Sequence, residues 1–329
     1  MSANVPVAGK AGSVRSTAGG GSTTGRPVGA KKKRTAPGAR RESLYGMLLI
    51  LPTVLVIAVL IIAPLVYVFW DSLHDRSFIG TSDDFVGLGN YIQILTSSTW
   101  WQIFGNSAIW TVASVVLQIA IGLGLAILLN QRIPARGLLR GLYLLPWVTP
   151  VVVVVLIWKW MLNDLYGIIN SLLGLINPAL HQTAWFSQSS LALMTVIGIN
   201  VWRGVPFTMI IFLAGLQTVP QELKEAVSID GGGVFRSFWN VTVPHLRSIL
   251  MVVILVFTLF NFNNFDLIYL ATQGGPVNLT MTLPVQTYQV GFGQQQIGQA
   301  SAWAVLMLVT VLILGLIYAL AMRRRERQS

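Results

Sequence analysis

Six stretches of this chain are long and apolar enough to cross a lipid bilayer, and they limit the fold more than any other feature. They lie at about residues 45–70, 104–130, 138–161, 190–214, 248–270 and 301–322. Each is near the ~20 residues needed to traverse ~30 Å of hydrocarbon as a helix. Within hydrocarbon the backbone has to satisfy its own polar groups, and a helix does so locally. The expected fold is therefore an all-α integral membrane protein with six transmembrane helices. Composition agrees: 54% of residues are hydrophobic and only 10% charged, with the charges gathered outside the apolar runs. A soluble core of that apolarity would need a more charged surface. Pro52 and Pro64 in the first run are tolerable in a membrane helix, where neighbours re-satisfy the backbone. Gly122, Gly124 and Ala126 in the second would let another helix approach closely. The third carries Leu145–Pro150 followed by Val151–Val155.

The basic residues orient these spans. Of 22 Lys and Arg, nine lie in the N-terminal segment, three in 132–140, three in 217–247 and four in 323–327. These are segments of one parity, whereas the opposite loops hold only Arg76, with Lys159 and Arg203 in or beside spans. Both termini and the 216–246 loop are therefore expected in the cytoplasm. Residues 1–43 are Gly/Ser/Thr/Ala-rich with basic clusters at 31–34 and 40–41, a composition that cannot bury enough apolar surface to fold. They are expected to form a disordered basic tail lying on anionic membrane lipid. They are not expected to form a signal peptide, because the apolar run begins only after some forty polar residues and is long enough to span. The net charge of +11 does not imply nucleic acid, since no aromatic interleaving or binding fold accompanies it. The expected organisation is tail 1–43, membrane domain 44–325 and a short tail 326–329. Cysteine is absent, so disulfides and thiol chemistry are excluded.

The stretch from Leu216 to Leu246 is the longest polar interruption with a pattern of its own. Pro220 suits a first helical turn. Leu216, Val219, Leu223 and Ala226/Val227 then recur at helical spacing, with Glu222 and Glu225 on another side. Gly231, Gly232 and Gly233 end that helix. A second short pattern, Val234, Phe235, Phe238 and Trp239, is expected to stop at Pro244. Such a helix–glycine–helix unit either docks a partner or lies as an amphipathic helix on the membrane surface.

This stretch resembles the coupling loop of ABC-importer permeases, E-A-A-x3-G-x9-I-x-L-P. It reads Glu225-Ala226-Val227, Gly231 and Val241-Thr242-Val243-Pro244, with small or aliphatic departures at Val227, Val241 and Val243. The resemblance extends over about 45–322: Phe85–Tyr91 is similar to F-V-G-L-x-N-Y, and Asn106, Leu145-Pro146-Trp147, Asn200–Pro206 and Gly274-Gly275-Pro276 also match. The set is similar to the carbohydrate branch, in particular permeases of the maltose and glycerol-phosphate importers. The resemblance implies the type I ABC-importer permease fold in the cell membrane. It also implies a second, homologous permease subunit, two ATPase subunits and an extracytoplasmic sugar-binding protein received by the outer loops 71–103 and 271–300. ATP and Mg would be bound by the ATPase subunits, leaving this chain without a cofactor. For ATPase coupling it implies Leu223, Glu225, Ala226, Val227, Asp230, Gly231 and Pro244. Glu225 would make the polar contact, and Leu223, Ala226 and Val227 would be the apolar anchor in a groove.

Polar groups within spans are expensive and face a cavity or the bundle interior. Two faces collect them. Asn261 and Asn264 are three residues apart with Phe260 beside them, and Asn200, Arg203, Gly204 and Phe207 fall at i, i+3, i+4 and i+7. Gly204 and Pro206 suggest a locally broken helix, as at midplane transport sites. In maltose-type permeases the matching positions line the sugar site, so the resemblance implies all seven as substrate-binding. Arg203 stands where an aliphatic residue is expected, and its guanidinium could hold sugar hydroxyls, a phosphate or a carboxylate. Alternatively, these amides and Arg203 join helices by hydrogen bonds, and Arg203 could pair with Asp266. Trp147, Trp158, Trp160 and Trp202 are read as interface anchors or packing.

No catalytic arrangement is visible. The three histidines, His74, His181 and His245, lie in separate loops without ligand spacing, and neither a GxSxG nor a phosphate-binding G-x-x-x-x-G-K-[ST] occurs. ATP would therefore be hydrolysed by another polypeptide. The substrate expected is a di- or oligosaccharide, with glycerol phosphate or another polar solute as the alternative. An ion-coupled secondary transporter would carry intramembrane carboxylates and an internal repeat. The only acid that the sequence places inside a span is Asp266.

Overall fold

A computed structural model describes residues 49–79, 83–131 and 134–326. The basic tail 1–43 and residues 327–329 lie outside the described residues. The chain divides into two units, residues 1–57 and 58–329. Within the first, residues 49–57 are helical.

Five helices are long and apolar enough to cross a membrane, or six if a bent pair counts as one span. They are α1 (Leu49–Asp71), α3 (Ser98–Asn130), the pair α4 (Arg136–Val148) and α5 (Val151–Met161), α7 (Ala192–Gln217), α9 (Val234–Phe262) and α12 (Ile297–Arg323). Shorter helices α2 (Gly89–Thr96), α6 (Ile168–Ile176), α8 (Gln221–Ile229), α10 (Asp266–Thr272) and α11 (Leu283–Tyr288) lie between them. The loop between α1 and α2 adds one antiparallel hairpin to this helical fold: β1 (His74–Arg76) pairs with β2 (Asp83–Phe85), His74 opposite Phe85.

The structure moves several expected boundaries. The third span bends by 95° between Val148 and Val151. Pro150 brings no N–H and pushes Thr149 into the extended region (ψ 131°), so the helix stops and restarts. The fifth span begins far earlier than expected and ends at Phe262, with a non-helical break before Asp266. Asp266 is thus outside the span. Pro244 does not end a separate short helix: it occupies the first turn of the regular α-helix Val243–Phe262, directly after a π-turn at Phe238–Thr242. A proline in a first turn forfeits no hydrogen bond, and the π-turn carries the helix on from Val234. Pro206, by contrast, sits inside α7 without breaking it.

Two apolar clusters make the core of the second unit. One gathers Ile103, Trp110, Ile197, Leu267, Leu283 and Trp303. The other gathers Ala126, Leu129, Met209, Phe212, Leu246 and Phe257. Helix α3 supplies both, and packs closely on α7. A Cβ on Gly122 would strike the Thr208 hydroxyl and come within 2.8 Å of its Cβ and 3.1 Å of the Met209 nitrogen. Gly124, one of the small residues noted from sequence, has open space instead.

Asn90, Tyr91 and Asn106 are ties between segments. Asn90 is buried and its Nδ2 donates to the Ser72 and His74 carbonyls at 2.9 and 3.0 Å. Tyr91 Oη lies 2.6 Å from Ser72 Oγ. Asn106 lies two turns inside α3 and donates to the carbonyls of Asn278 and Met281 at 2.8 and 3.1 Å, fastening the last outer loop to that span.

Candidate functional site

Between the two apolar clusters lies a layer of amides and hydroxyls. Asn200 Nδ2 on α7 donates to Ser114 Oγ at 3.0 Å and to Asn261 Oδ1 at 2.6 Å. Asn261 Nδ2 donates to Gln118 Oε1 at 3.0 Å and to the Phe257 carbonyl at 2.8 Å. Gln118 Nε2 returns to the Asn200 carbonyl at 3.1 Å, and Trp110 Nε1 donates to the Asn261 carbonyl at 2.9 Å. Asn200 and Asn261 are each only 4% exposed. The network joins α3, α7 and α9 at one level, and it includes Gln118 and Ser114, which the sequence reading passed over. A buried amide needs such partners. Gly204 makes room for it, since a Cβ there would lie 2.7 Å from Gln118 Cδ.

The other predicted residues are more open. Phe207 stacks on Trp147 of α4, with centroids 4.5 Å apart and planes at 9°. It also meets Phe257 at 5.8 Å, and Phe257 meets Phe260 at 6.4 Å. Phe260 is 57% exposed. The Arg203 guanidinium is half-buried, its Cζ 5.8 Å from the centre of the Trp147 ring. Its Nε is buried with no hydrogen-bond partner. The suggested ion pair with Asp266 does not form; among the described residues the ion pair present is Arg76–Asp71, at 3.0 Å.

Asn264 falls in the break after α9, so it no longer shares a helix face with Asn261. Its Oδ1 accepts the Leu267 N–H at 3.3 Å at the start of α10, and its amide nitrogen makes no hydrogen bond among the described residues. Asn200, Gly204 and Asn261 thus form a closed polar layer, while Arg203, Phe207, Phe260 and Asn264 keep accessible surface. Trp147, read from sequence as packing, links Arg203 to Phe207. The sequence could not reveal this, because the bend at Thr149–Pro150 decides where α4 lies.

A groove of about 400 Å³ starts at Phe207 and Phe257 and runs past Ile211, Val253, Ile249 and Ser248. A larger cavity of about 590 Å³ lies between α3, α9 and α12, is lined by groups such as Phe104, Val116, Ile254 and Leu314, and touches none of the predicted residues.

The 216–246 loop has a different chemistry. Helix α8 holds Leu223, Glu225, Ala226 and Val227, and it ends at Asp230. Gly231 takes the left-handed conformation (φ +73°), which lets the Gly232 N–H reach the Val227 carbonyl at 2.8 Å. Glycine enters that region without the Cβ clash of other residues. Glu225 is exposed, and Leu223 is 49% exposed. Beside them Ile229, Val234 and Phe235 are 85%, 89% and 77% exposed, so Ile229 joins the short apolar pattern that begins at Val234 in one exposed surface.

A family model described as binding-protein-dependent transport system inner membrane component matches residues 118–327. The trehalose/maltose transport system permease protein MalF of Thermococcus litoralis is 34% identical over 279 residues, covering 84% of this chain and 93% of that protein. The diacetylchitobiose uptake system permease protein DasB of Streptomyces coelicolor is 31% identical over 322 residues, covering 96% and 95%. A solved bacterial alginate ABC transporter, in complex with an alginate pentasaccharide-bound periplasmic protein, contains a chain that superposes with a TM-score of 0.74 at 19% identity. The match covers 87% of this chain and 96% of that one and shows a shared fold. The chain therefore belongs to the family of binding-protein-dependent transport system inner membrane components, the permeases of ABC transporters.

Proposed function

We propose that this chain is one permease subunit of an ATP-driven importer of a di- or oligosaccharide, forming half of the translocation path. The observation that carries this reading is the accessible surface that Arg203, Phe207, Phe260 and Asn264 keep around a closed amide layer, in a chain whose relatives include permeases named for trehalose/maltose and diacetylchitobiose. Aromatic faces pack against the C–H groups of sugars, and amides and guanidinium serve their hydroxyls. Asn200 and Asn261 hold the spans in register while Gly204 leaves room for Gln118, and Asn261 meets substrate only if the layer opens during the cycle. A phosphorylated glycerol or another small polar solute is the runner-up substrate, favoured by the cationic Arg203.

The same reading assigns ATP hydrolysis, with its Mg, to two separate ATPase subunits in the cytoplasm. The 216–246 loop couples to them, Leu223, Ala226 and Val227 seating in a groove while Glu225 makes the polar contact. Asp230 and Gly231 shape the turn, and Pro244 starts the helix that carries movement into the membrane. A homologous second permease completes the path, and an extracytoplasmic sugar-binding protein delivers to loops 71–103 and 271–300. Both termini lie in the cytoplasm. Gentle purification of the tagged chain from its native membrane tests this. Recovery of an ATPase, a second permease and a sugar-binding protein is expected. Recovery of the chain alone, even after mild cross-linking, with uptake driven by an ion gradient, would replace the reading with an ion-coupled transporter.

A further inference from the structure

We propose that the transported sugar is acidic, and that Arg203 is the residue that selects it by pairing with the sugar's carboxylate or comparable anionic group. The proposal rests on the transport site described above and names the chemical class that site would take.

Arg203 lies about halfway along α7 (Ala192–Gln217), so its charge is held within a membrane span. A cation at that depth is costly unless it is paired, hydrogen-bonded or beside water. Here the protein supplies little of that. No carboxylate of the described residues lies within ion-pairing distance, and the nearby acid, Asp266 of α10, stays exposed. The guanidinium makes no hydrogen bond among the described residues, and its Nε is buried without a partner. Lys159 of α5, a cation in a neighbouring span, donates to the Leu270 carbonyl at 3.1 Å and is thus engaged elsewhere.

What holds Arg203 is an aromatic surface. Trp147 lies 5.8 Å from its Cζ and stacks with Phe207. A cation–π contact orients a guanidinium while leaving its N–H edge without acceptors. That edge matches a carboxylate in a two-bond fork, which neither an aliphatic residue nor lysine reproduces. A guanidinium used only to join helices would show helix acceptors around it, as the Asn200–Asn261 layer does. None is present. The missing anion is best supplied by the cargo, whose ring would rest by the Phe207 and Phe260 faces while its acid meets Arg203.

The test uses the complete transporter with its binding protein, in vesicles loaded with ATP. Neutral oligosaccharides from starch and chitin are mixed with acidic ones from pectin and alginate, and the accumulated species are weighed by mass spectrometry. Wild type is expected to accumulate acidic species at least tenfold over neutral ones of equal length. Arg203→Leu should lower acidic uptake at least tenfold in complexes that still assemble, and Arg203→Lys should restore part of it. If Arg203→Leu fails to assemble, Arg203→Gln takes its place in the comparison, and failure of both to assemble marks a structural residue and overturns the proposal. Accumulation of neutral sugars with Arg203→Leu unaffected overturns the acidic class and leaves the sugar reading standing. ATP-driven accumulation of no sugar at all overturns both.

Discussion

Asn261 and Asn264 stand three residues apart, and the structure gives them separate surroundings. Asn261 is enclosed, donating to Gln118 and accepting from Asn200, whereas Asn264 sits past the helix end with its amide nitrogen unengaged. Hydrogen bonds between membrane helices are worth about 0.6 kcal/mol on average and at most about 1.7. Asn261→Ala removes two of them and strands Gln118 and Asn200, so a loss of about 1–3 kcal/mol is expected, read as a lower Tm in detergent. Asn264→Ala should leave Tm nearly unchanged and reduce uptake several-fold. Equal Tm values for the two variants would show that the buried layer does not hold the spans together. At this scale the sequence revealed which residue types matter but not which group faces which. The i, i+3 rule makes the two asparagines neighbours only if the helix continues, and it ends at Phe262. Gln118 and Ser114 gave no signal at all, being single polar positions in a long apolar run whose partners lie about eighty and more residues away.

The elements were more legible than their ends. Apolar length located the five long helices and the bent pair between them, because covering the hydrocarbon requires it. Breaks were misjudged wherever proline was the clue. Pro206 is carried inside α7 and Pro244 opens a helical turn, while Pro150 divides a span. One proline can do any of these, and neighbouring helices decide. The 216–246 loop was read well up to its glycines, since a left-handed turn at Gly231 is a local property of the chain. Its apolar surface extends further than the motif does. Ile229 and Phe235 are 85% and 77% exposed, so replacing them removes almost no contact within this chain. The double variant Ile229→Ser, Phe235→Ser should keep its Tm and membrane level and lose at least half of the ATPase recovered on purification. Full ATPase recovery would confine the docking surface to Leu223, Ala226 and Val227.

At the scale of the whole molecule, the helical arrangement sets which loops share a side of the membrane, and the basic residues set which side that is. The orientation matters to every functional statement, because a loop that engages an ATPase has to face ATP. The chain offers a direct measurement. It has no cysteine, so a single introduced thiol reports without background. Two positions are suited to it: Ile229 at the end of α8 and Val277 in the loop 271–300, 85% and 84% exposed. In intact spheroplasts a membrane-impermeant maleimide should label Val277→Cys and spare Ile229→Cys, which should react only once the membrane is opened. These two residues are separated by one span, α9, so they have to report opposite sides if that helix crosses. Labelling of both from outside would mean that α9 does not cross. Labelling of Ile229→Cys alone would turn the molecule over, placing Glu225 away from any nucleotide and removing the ATPase from the mechanism.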